Sequence, residues 1–317
     1  MPAPRDTAII VQAARLYYEQ NLSQAEIAAQ LDLSRSNVSR ILTQARERGI
    51  VEVIIHDPDA PPSHDPALEQ ALAARWPALT QVQVVSSGLA GIDAVARTAA
   101  ELLAQRARSV RSIGVSWGHT VQSVVAHLPS ARLRPAPRVL PLVGGLSALD
   151  VTESGDTVLR LLAQKLGAQA EPLYAPAILE SAAAGRTLRQ ESSIARVLEA
   201  AAEVDLALVG IGSLGVHSSP HLVELMRLDA GEEAAFRAQG PVADLCGWFL
   251  DAAGEPLGPP TADRVVAVTV DQLRAVPDVL AVAAGAEKAP GLASVLRSGA
   301  VDTLVVDTEL ARAVLAR

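Results

Sequence analysis

Cysteine is nearly absent from this sequence. The 317 residues contain one, Cys246, so no disulfide can form within the chain. No apolar run approaches the roughly 18 residues that mark a membrane-spanning helix, and the first residues, MPAPRDTAII, have too short an apolar core for a signal peptide. These absences predict a cytoplasmic protein with no membrane partner. Cys246 is expected to be a small buried hydrophobic residue within the strand-like segment VADLCGWFLD.

Lysine is also scarce, because Lys165 and Lys288 are the two lysines among 27 basic residues. Since arginine fills nearly every other basic position, each lysine is a candidate for a specific chemical role, although chance explains two lysines equally well. The length suffices for two domains, each with its own core. Half of the residues are apolar and a fifth are charged, which is typical of globular rather than disordered chains.

The formal charge of −8 is unevenly distributed. Residues 1–56 hold six arginines and six acidic residues, so residues 57–317 carry the whole excess of negative charge. Within the neutral segment, residues 35–48 hold four arginines and one glutamate. DNA affinity depends on the field at the contact surface, so a local basic stripe suffices in an acidic chain. Because one such stripe is weak, we expect site-specific binding by a homodimer or a homotetramer.

Residues 1–56 have the pattern of a winged helix-turn-helix DNA-binding domain. A first helix is predicted over TAIIVQAARLYYEQ, Ser23 and Glu26 have capping-box spacing for a second, and Ser34 is placed to cap a third. The predicted buried face of the third helix consists of Val38, Ile41, Leu42 and Ala45. Gly49 ends this helix, and the alternating segment IVEVIIHDP predicts the strand of a wing.

The opposite face of the third helix is polar. Arginine, asparagine, glutamine and serine side chains bond to base edges, and the first turns of such a helix enter the major groove. Arg35 and Arg46 lie nearer the buried face, where phosphate contacts are expected. The predicted DNA contacts are Ser34, Arg35, Ser36, Asn37, Ser39, Arg40, Thr43, Gln44 and Arg46. A small helical bundle with a solvated polar face is the alternative interpretation.

The segment LYYEQNLSQAEIAAQLDLSRSNVSRILTQARERGIVEVII resembles the amino-terminal module of SorC/DeoR-type bacterial transcriptional regulators. The tyrosine pair, the SQ-x-EIA segment, the LSRS-x-VSR-x-L core and the GIVE start of the wing carry the resemblance. It implies a further DNA contact from Gln24. Asp32 replaces the glycine usual in this turn, and aspartate tolerates the left-handed conformation better than most residues, so the turn is expected to persist.

The segment HDPDAPPSHDPA has four prolines in twelve residues and no periodicity, so residues 57–67 are predicted to be a semi-rigid linker. Residues 68–317 then alternate apolar runs with amphipathic segments. The predicted strands are VQVVS, SIGVS, RVLPLV, LALVGI, VVAVTV, VLAVAA and TLVVD. The predicted helices cover 92–107, 119–127, 155–166, 190–202, 287–297 and 308–316. This order predicts a doubly wound, mainly parallel α/β domain with helices on both faces of the sheet.

Four predicted strand-to-helix turns contain glycine, namely 114–120, 142–147, 209–213 and 283–289. Ligands of doubly wound sheets bind beyond the carboxyl ends of the strands. Glycines there let backbone N–H groups approach an anion at a helix N-terminus. Each turn alone is weak evidence, because α/β folds need glycine at such corners. The four together, one of them containing Lys288, favour an anionic ligand, with hydroxyl donors from Ser116, Thr120 and Ser213.

The motifs of this region, from SIGVSWGHTV to AVAAGAEKAPGL and LVVDTELA, also occur in the order of the SorC/DeoR effector-binding domain. That domain is similar in fold to sugar-phosphate isomerases and deaminases, and its members bind phosphorylated sugars or related metabolites. The resemblance implies a phosphate loop of Ser116, Gly118, His119 and Thr120, with Gly144 and Gly145 on the opposite wall. It also implies that Asp244 accepts hydrogen bonds from sugar hydroxyls and that Lys288 binds phosphate or a sugar oxygen. The predicted effector site is completed by Trp117, Gly212, Ser213 and Trp248.

Several positions depart from the family pattern. Val143 leaves the second turn without a basic side chain, and Ala286 replaces a second glycine before Lys288. Further departures are Pro241, Ala243 and Trp248. Trp248 either stacks on a sugar or packs beside Phe249. Fewer phosphate-binding groups are present than in some relatives, so a smaller or unphosphorylated ligand remains an alternative.

An isomerase or deaminase fused to a DNA-binding module is the alternative function. It requires an acid/base set, for which Asp244, Lys288, His119 and Asp307 are available, but their spacing fits binding as well as catalysis. A Schiff base between Lys288 and an open-chain aldose would be an intermediate case. We expect no enzyme, but a regulator of a carbohydrate-metabolism operon whose operator affinity is controlled by a small, phosphorylated sugar.

Metal and hydrolase chemistry have little support in the sequence. His217 and His221 are separated by Pro220 and do not share a helical face, and no cysteine cluster accompanies them. A nucleophilic hydrolase is not expected either, because the one cysteine lies within a strand-like segment. No cofactor is therefore expected.

Overall fold

The computed structural model describes residues 7–51, 63–86, 91–146, 155–216 and 219–317. The chain divides into two compact units, Met1–Asp59 and Ala60–Arg317. No helix in these described ranges is both long and apolar enough to cross a membrane.

The described part of the first unit consists of the helices α1 (Thr7–Tyr18), α2 (Gln24–Gln30) and α3 (Arg35–Glu47). The predicted capping box begins α2: the Ser23 hydroxyl accepts from the Glu26 N–H at 3.3 Å, and the Glu26 carboxylate accepts from the Ser23 N–H at 2.8 Å. The Ser34 hydroxyl accepts from the N–H of Asn37 at the start of α3, also at 3.3 Å. Two local hydrogen-bonding signals in the sequence therefore set where these helices begin.

The three helices pack around one small core. The predicted buried face of α3 is confirmed, since Val38, Ile41, Leu42 and Ala45 are all buried. They pack against residues of α1 and α2, among them Ile10 and Ile27. Asp32 has a φ of 52°, so the turn between α2 and α3 keeps its left-handed residue without glycine. The predicted wing strand, residues 50–58, lies outside the described residues from residue 52 onward.

Within the described residues, the second unit holds an eight-stranded sheet and a three-stranded sheet. Their strands are β1 (Ser63–His64), β2 (Gln81–Ser86), β3 (Ser112–Val115), β4 (Arg138–Pro141), β5 (Gln169–Ala170), β6 (Leu206–Gly210), β7 (Gly212–Ser213), β8 (Ala243–Leu245), β9 (Trp248–Leu250), β10 (Val279–Ala283) and β11 (Thr303–Asp307). The large sheet has the order β1-β2-β11-β10-β6-β3-β4-β5 and is parallel except for β1. The small sheet, β7-β8-β9, is antiparallel.

Helices cover both faces of the large sheet, and each face has its own hydrophobic core. The helices of this unit are α4 (Pro66–Arg75), α5 (Gly91–Arg106), α6 (His119–His127), α7 (Gly155–Leu166), α8 (Ala182–Gln190), α9 (Ser192–Ala202), α10 (Ser219–Leu225), α11 (Ala230–Ala238), α12 (Val270–Ala275), α13 (Ala289–Ser298) and α14 (Thr308–Leu315). The predicted doubly wound fold is confirmed. Each of the six helices predicted from periodicity is present with its ends within two residues of the prediction.

The predicted linker differs from the structure in its second half. Residues 57–62 lie outside the described residues, but Ser63 and His64 form β1 and pair with β2. Asp65 then caps α4, because its carboxylate accepts from the Leu68 N–H at 3.1 Å, and Pro66 occupies the first turn. Proline is favoured at the first helical position, so this part of the proline pattern signals a helix start rather than a spacer.

Two predicted strands are wrong in detail. The segment VVAVTV forms no strand of the large sheet: Val265 and Ala267 make isolated bridges to Ile178 and Val143, and α12 begins at Val270. Cys246 lies in the turn between β8 and β9 rather than within a strand. Its φ of 52° is followed by a φ of 82° at Gly247, as a two-residue hairpin turn of type I′ requires.

The amino-terminal edge of the large sheet is held by a charged network around Arg106. Its guanidinium donates to both carboxylate oxygens of Asp278 at 2.7 and 2.6 Å, to Gln81 at 2.6 Å and to Thr303 at 2.9 Å. The Arg106 and Asp278 side chains are 19% and 29% exposed. The network therefore joins the end of α5 to the starts of three strands, and its charged groups are partly buried.

Replacing Arg106 with methionine is expected to lower the free energy of unfolding by about 2–3 kcal/mol, because it leaves Asp278 partly buried without its cation. The matched control is Arg138→Met, which removes an ion pair to Glu171 whose side chains are 57% and 40% exposed. The control substitution should lower the free energy of unfolding by less than about 1 kcal/mol. Urea unfolding of both variants measures the difference, and equal losses would contradict this role of Arg106.

Candidate functional site

The order of strands creates a crevice between β3 and β6. These two strands are neighbours, but the chain leaves β3 through α6 toward β4 and leaves β6 toward β10 on the other side. Connections that diverge from adjacent parallel strands open a space beyond their carboxyl ends, which is where ligands of this fold class bind.

A cavity of about 710 Å³ lies at this point, entirely within the second unit. Three of the four predicted glycine-containing turns contribute to its wall: residues 116–121 after β3, 210–212 after β6, and 284, 285, 287 and 288 after β10. Asp307, the last residue of β11, and Glu309, in the first turn of α14, also line it. Asp244 and Cys246 enter from the small sheet. The volume is in the range of small-molecule sites.

The structure brings most of the predicted effector residues together. Those lining the cavity are Ser116, Trp117, Gly118, His119, Thr120, Gly212, Asp244 and Lys288. Four predicted residues are not among the residues that line it, namely Gly144, Gly145, Ser213 and Trp248.

The second predicted turn is occupied by the chain itself. The Gly144 N–H donates to the carbonyl of Val266 at 2.9 Å, and the Gly145 N–H donates to that of Ala175 at 2.9 Å. A Cβ on Gly144 would lie 2.6 Å from the backbone of Pro176. Gly144 is therefore needed for close backbone packing, and the N–H groups of both glycines are bound to backbone carbonyls.

Trp248 and Ser213 also have structural contacts. The indole N–H of Trp248 donates to the carbonyl of Val268 at 2.9 Å, and the ring packs against the core beside the small sheet. Ser213 is buried against α13, where a Cβ on Gly291 would lie 2.8 Å from its Cα and Cβ atoms. This geometry favours the packing interpretation of Trp248 over sugar stacking.

Asp244 is placed in the cavity wall by strand register. It pairs with Gly212 across β7 and β8, so its carboxyl group lies directly over that glycine, where no Cβ would fit. The hydroxyl of Ser219 donates to its Oδ2. Burial raises the pKa of Asp244, while the Ser219 hydrogen bond and the nearby Lys288 charge act in the opposite direction. A carboxyl group has several acceptor positions, so it retains capacity for ligand hydroxyls.

Lys288 faces the same space from the turn after β10. Burial lowers the pKa of its ammonium group, and the negative charges of Asp244, Glu287 and Asp307 oppose that shift. Asp244 and Lys288 therefore form an electrostatically coupled pair in the wall of the cavity. Burial also raises the pKa of Cys246 to about 12, with a further contribution from Asp244, so its thiol stays protonated and unreactive.

The start of α6 supplies backbone donors. Gly118 is the N-cap residue, and no side-chain hydrogen bond caps this helix. Its φ of 114° is accessible to glycine and strained for other residues. The hydroxyl of Ser116 is directed elsewhere, because it accepts from the Gly210 N–H at 3.3 Å. Ser116 thus joins the ends of β3 and β6 in addition to lining the cavity.

Sequence reasoning did not assign several lining residues to the effector site, namely Gly91, Ile92, Val216, His221, Glu287, Asp307 and Glu309. Asp307 had been named only for the alternative, enzymatic function, although it ends the apolar run TLVVD at the carboxyl end of a strand. His221 was considered only as a metal ligand. Its Nδ1 lies 3.3 Å from Glu224, and its Nε2 is buried without a hydrogen-bond partner. No group of residues suited to bind a metal ion occurs within the described parts of the chain.

The candidate DNA-binding surface lies on α3 in the first unit. Among the predicted contacts, Ser34, Arg35, Ser36, Ser39, Arg40, Thr43 and Arg46 are exposed, and Gln24, Asn37 and Gln44 are half-buried. Some of these groups already have local partners. The Ser34 hydroxyl caps the helix, and the Thr43 hydroxyl donates to the carbonyl of Ser39 at 3.1 Å. Arg40 is exposed on the face of α3 opposite the buried Val38, Ile41 and Leu42.

Comparison with known proteins relates both units to regulators. A sugar-binding domain family, Sugar-bind, matches residues 60–316, and sigma-70 region 4 matches residues 4–48. The deoxyribonucleoside regulator of Bacillus subtilis is 29% identical over 309 residues, covering 96% of both chains. The sorbitol operon regulator of Klebsiella pneumoniae is 27% identical over 314 residues, covering 98% of both.

A solved structure agrees with this assignment. The full-length sorbitol operon regulator SorC from Klebsiella pneumoniae matches with a TM-score of 0.73 and 28% identity, covering 98% of this chain and 100% of that one. The likeness thus extends over the three-helix unit and the α/β unit together. The chain belongs to the Sugar-bind family and is a SorC-type transcriptional regulator.

Proposed function

We propose that this regulator binds operator DNA through α3 and that a small sugar or sugar derivative, bound in the cavity, controls its operator affinity. The observation that carries the proposal is the convergence of three glycine-containing turns, Asp244 and Lys288 on one cavity at the β3–β6 switch point. The names of two relatives, a deoxyribonucleoside regulator and a sorbitol operon regulator, support a compound of the sugar or polyol class.

DNA binding and effector binding are proposed to belong to different units of the chain. Residues 1–56 bind DNA, residues 57–62 connect, and residues 63–317 bind the effector and form the oligomer. A homodimer or homotetramer places two α3 helices on one operator, which compensates for the weak charge of a single stripe. Two-fold symmetry then predicts a pseudo-palindromic site with half-sites separated by whole helical turns. The effector acts by binding two arrangements of the oligomer with different affinity.

Binding without turnover is the proposed role of the cavity. It contains the acid/base set that an isomerase would need, Asp244, Lys288, His119 and Asp307. Both carboxylate oxygens of Asp307, however, accept backbone N–H groups, from Gly285 at 2.7 Å and Leu310 at 2.6 Å. A carboxylate held in this way supports the loop and the helix rather than acting as a mobile base. Sugar phosphates incubated with the protein should remain unchanged by NMR.

The proposal is tested by selecting bound sequences from a random duplex library and measuring their affinity with and without sugars that stabilise the protein. We expect an enriched inverted repeat and a change in its dissociation constant of about 5- to 150-fold on saturation with effector. Lys288→Ala should abolish the response to sugar while leaving operator binding in its absence. Failure to enrich any sequence, or an affinity unaffected by a sugar that binds the cavity, would contradict it.

A further inference from the structure

Carboxylates of the chain itself occupy backbone positions that a phosphate group would need in the cavity. Asp307 accepts from the N–H of Gly285, in the turn after β10, and from the N–H of Leu310, in the first turn of α14. A glycine-rich turn and a helix N-terminus are the usual partners of a phosphate. Here both are already bound to one buried carboxylate.

Side chains also occupy the turn after β6, although no carboxylate of the described residues is bound to its N–H groups there. The carboxyl group of Asp244 lies over Gly212, and the N–H of Gly210 donates to the Ser116 hydroxyl. The turn after β3 differs from the other two turns that line the cavity. It contains the N-terminus of α6, where Gly118 is the N-cap residue and no side chain caps the helix. A helix N-terminus contributes about half a positive charge, which is small against a phosphate dianion.

The charge of the lining also disfavours an anion. Lys288 is the sole lysine or arginine among the described lining residues, which include the carboxylates of Asp244, Asp307, Glu287 and Glu309. If a proton passes from Lys288 to Asp244, both become neutral and the net charge does not change. In either state, the remaining three carboxylates leave the lining with a formal charge of −3.

The segments that border the lining in sequence do not add a permanent cation. Residues 87–90, 147–154 and 217–218 lie outside the described residues, and their sequences contain no lysine or arginine. His119 and His221 also line the cavity. Sites that recognise phosphate esters generally use arginine or lysine to balance the charge.

We infer that the effector is an uncharged polyhydroxy compound, a free sugar or polyol, and that the cavity discriminates against the phosphate ester of the same compound. This inference rests on the proposed function and replaces the phosphorylated sugar expected from the glycine-containing turns. The polar groups of the wall suit hydroxyls, which both donate and accept. Asp244 accepts from them, Lys288 donates to them, and the buried Nε2 of His221 is available for one further hydrogen bond.

The test compares matched pairs by isothermal titration calorimetry with the full-length protein. The pairs are sorbitol and sorbitol 6-phosphate, 2-deoxyribose and its 5-phosphate, glucose and its 6-phosphate, and fructose and its 6-phosphate. We expect at least one free compound to bind, with a dissociation constant at least tenfold lower than that of its ester. Tighter binding by the ester would overturn the inference and leave the proposed effector site intact. If no member of any pair binds, the proposed sugar-binding function fails together with the inference.

A charge-neutralising variant tests the cause of the discrimination. Glu287→Gln combined with Glu309→Gln removes two carboxylates of the lining. The ratio of the two dissociation constants, ester to free compound, should fall at least threefold in this variant. The control is Glu199→Gln combined with Glu203→Gln, which makes the same change in net charge at exposed positions outside the cavity. An unchanged ratio in the cavity variant, or an equal fall in the control, would overturn the electrostatic argument.

Discussion

Replacing Arg40 with alanine is expected to weaken binding to the selected operator by at least tenfold per contacting protomer, and by the product of both losses in a dimer. Arg40 lies on the exposed face of α3, opposite the buried Val38, Ile41 and Leu42. A bidentate arginine–guanine contact contributes about 1–3 kcal/mol of base discrimination. Because its side chain has no role in the core, the variant should unfold at the same temperature as the parent protein. Its response to sugar in thermal unfolding should also be retained.

The control for this prediction is Arg46→Ala, which removes an equal charge from the last turn of α3. If Arg46 contacts phosphate, its loss should weaken binding to all sequences alike and lower the salt dependence of the association constant. Arg40→Ala should instead relax the preference at one position of each half-site. Electrophoretic mobility shifts over a series of single-base operator variants separate the two results. Equal effects of both variants on every sequence would show that Arg40 is a phosphate contact.

The local elements of this protein could be predicted from its sequence because their signals are local. The capping box at Ser23 and the period of Val38, Ile41 and Leu42 depend on residues within one or two turns of helix. Three of the four glycine-containing turns were likewise placed at one site by a general property of parallel sheets, whose strand ends meet at the same edge.

Long-range pairing explains what the sequence did not predict. The turn at Gly144 resembles the other three, but residues 265–268 lie against it and satisfy its backbone. The sequence of the turn itself does not indicate that contact. The position of Asp244 over Gly212 depends on the register of two short strands separated by about thirty residues. The resemblance placed Asp244 in the effector site, but its position directly over Gly212 follows only from that register.

Asp244→Asn is expected to reduce sugar affinity by about 10- to 100-fold while leaving the stability of the unliganded protein unchanged or raised. The variant keeps the shape of the side chain but loses charge-assisted acceptance of hydroxyl protons, each contact being worth about 1.5–3 kcal/mol. Stability should not fall, because burial raises the pKa of this carboxyl group. A raised pKa in the folded state means that folding disfavours the ionised form, so the parent protein loses stability as pH rises through that pKa.

The pH dependence of stability distinguishes the cost of ionising the buried Asp244 from a general effect of mutation. The loss of stability with rising pH in the parent protein should be smaller in Asp244→Asn, since the amide does not ionise. Asp307→Ala is the contrasting variant: it removes the cap of α14 and the acceptor of the Gly285 N–H, so it should lower the unfolding free energy by about 1–2 kcal/mol. Thermal unfolding across pH, with and without the bound sugar, measures both. A variant at Asp244 that bound sugar as tightly as the parent would remove this residue from the effector site. If Asp244→Asn instead lowered stability as Asp307→Ala does, the buried carboxyl group of Asp244 would support the fold. The expected result is that this group lowers stability and is retained because it binds the sugar.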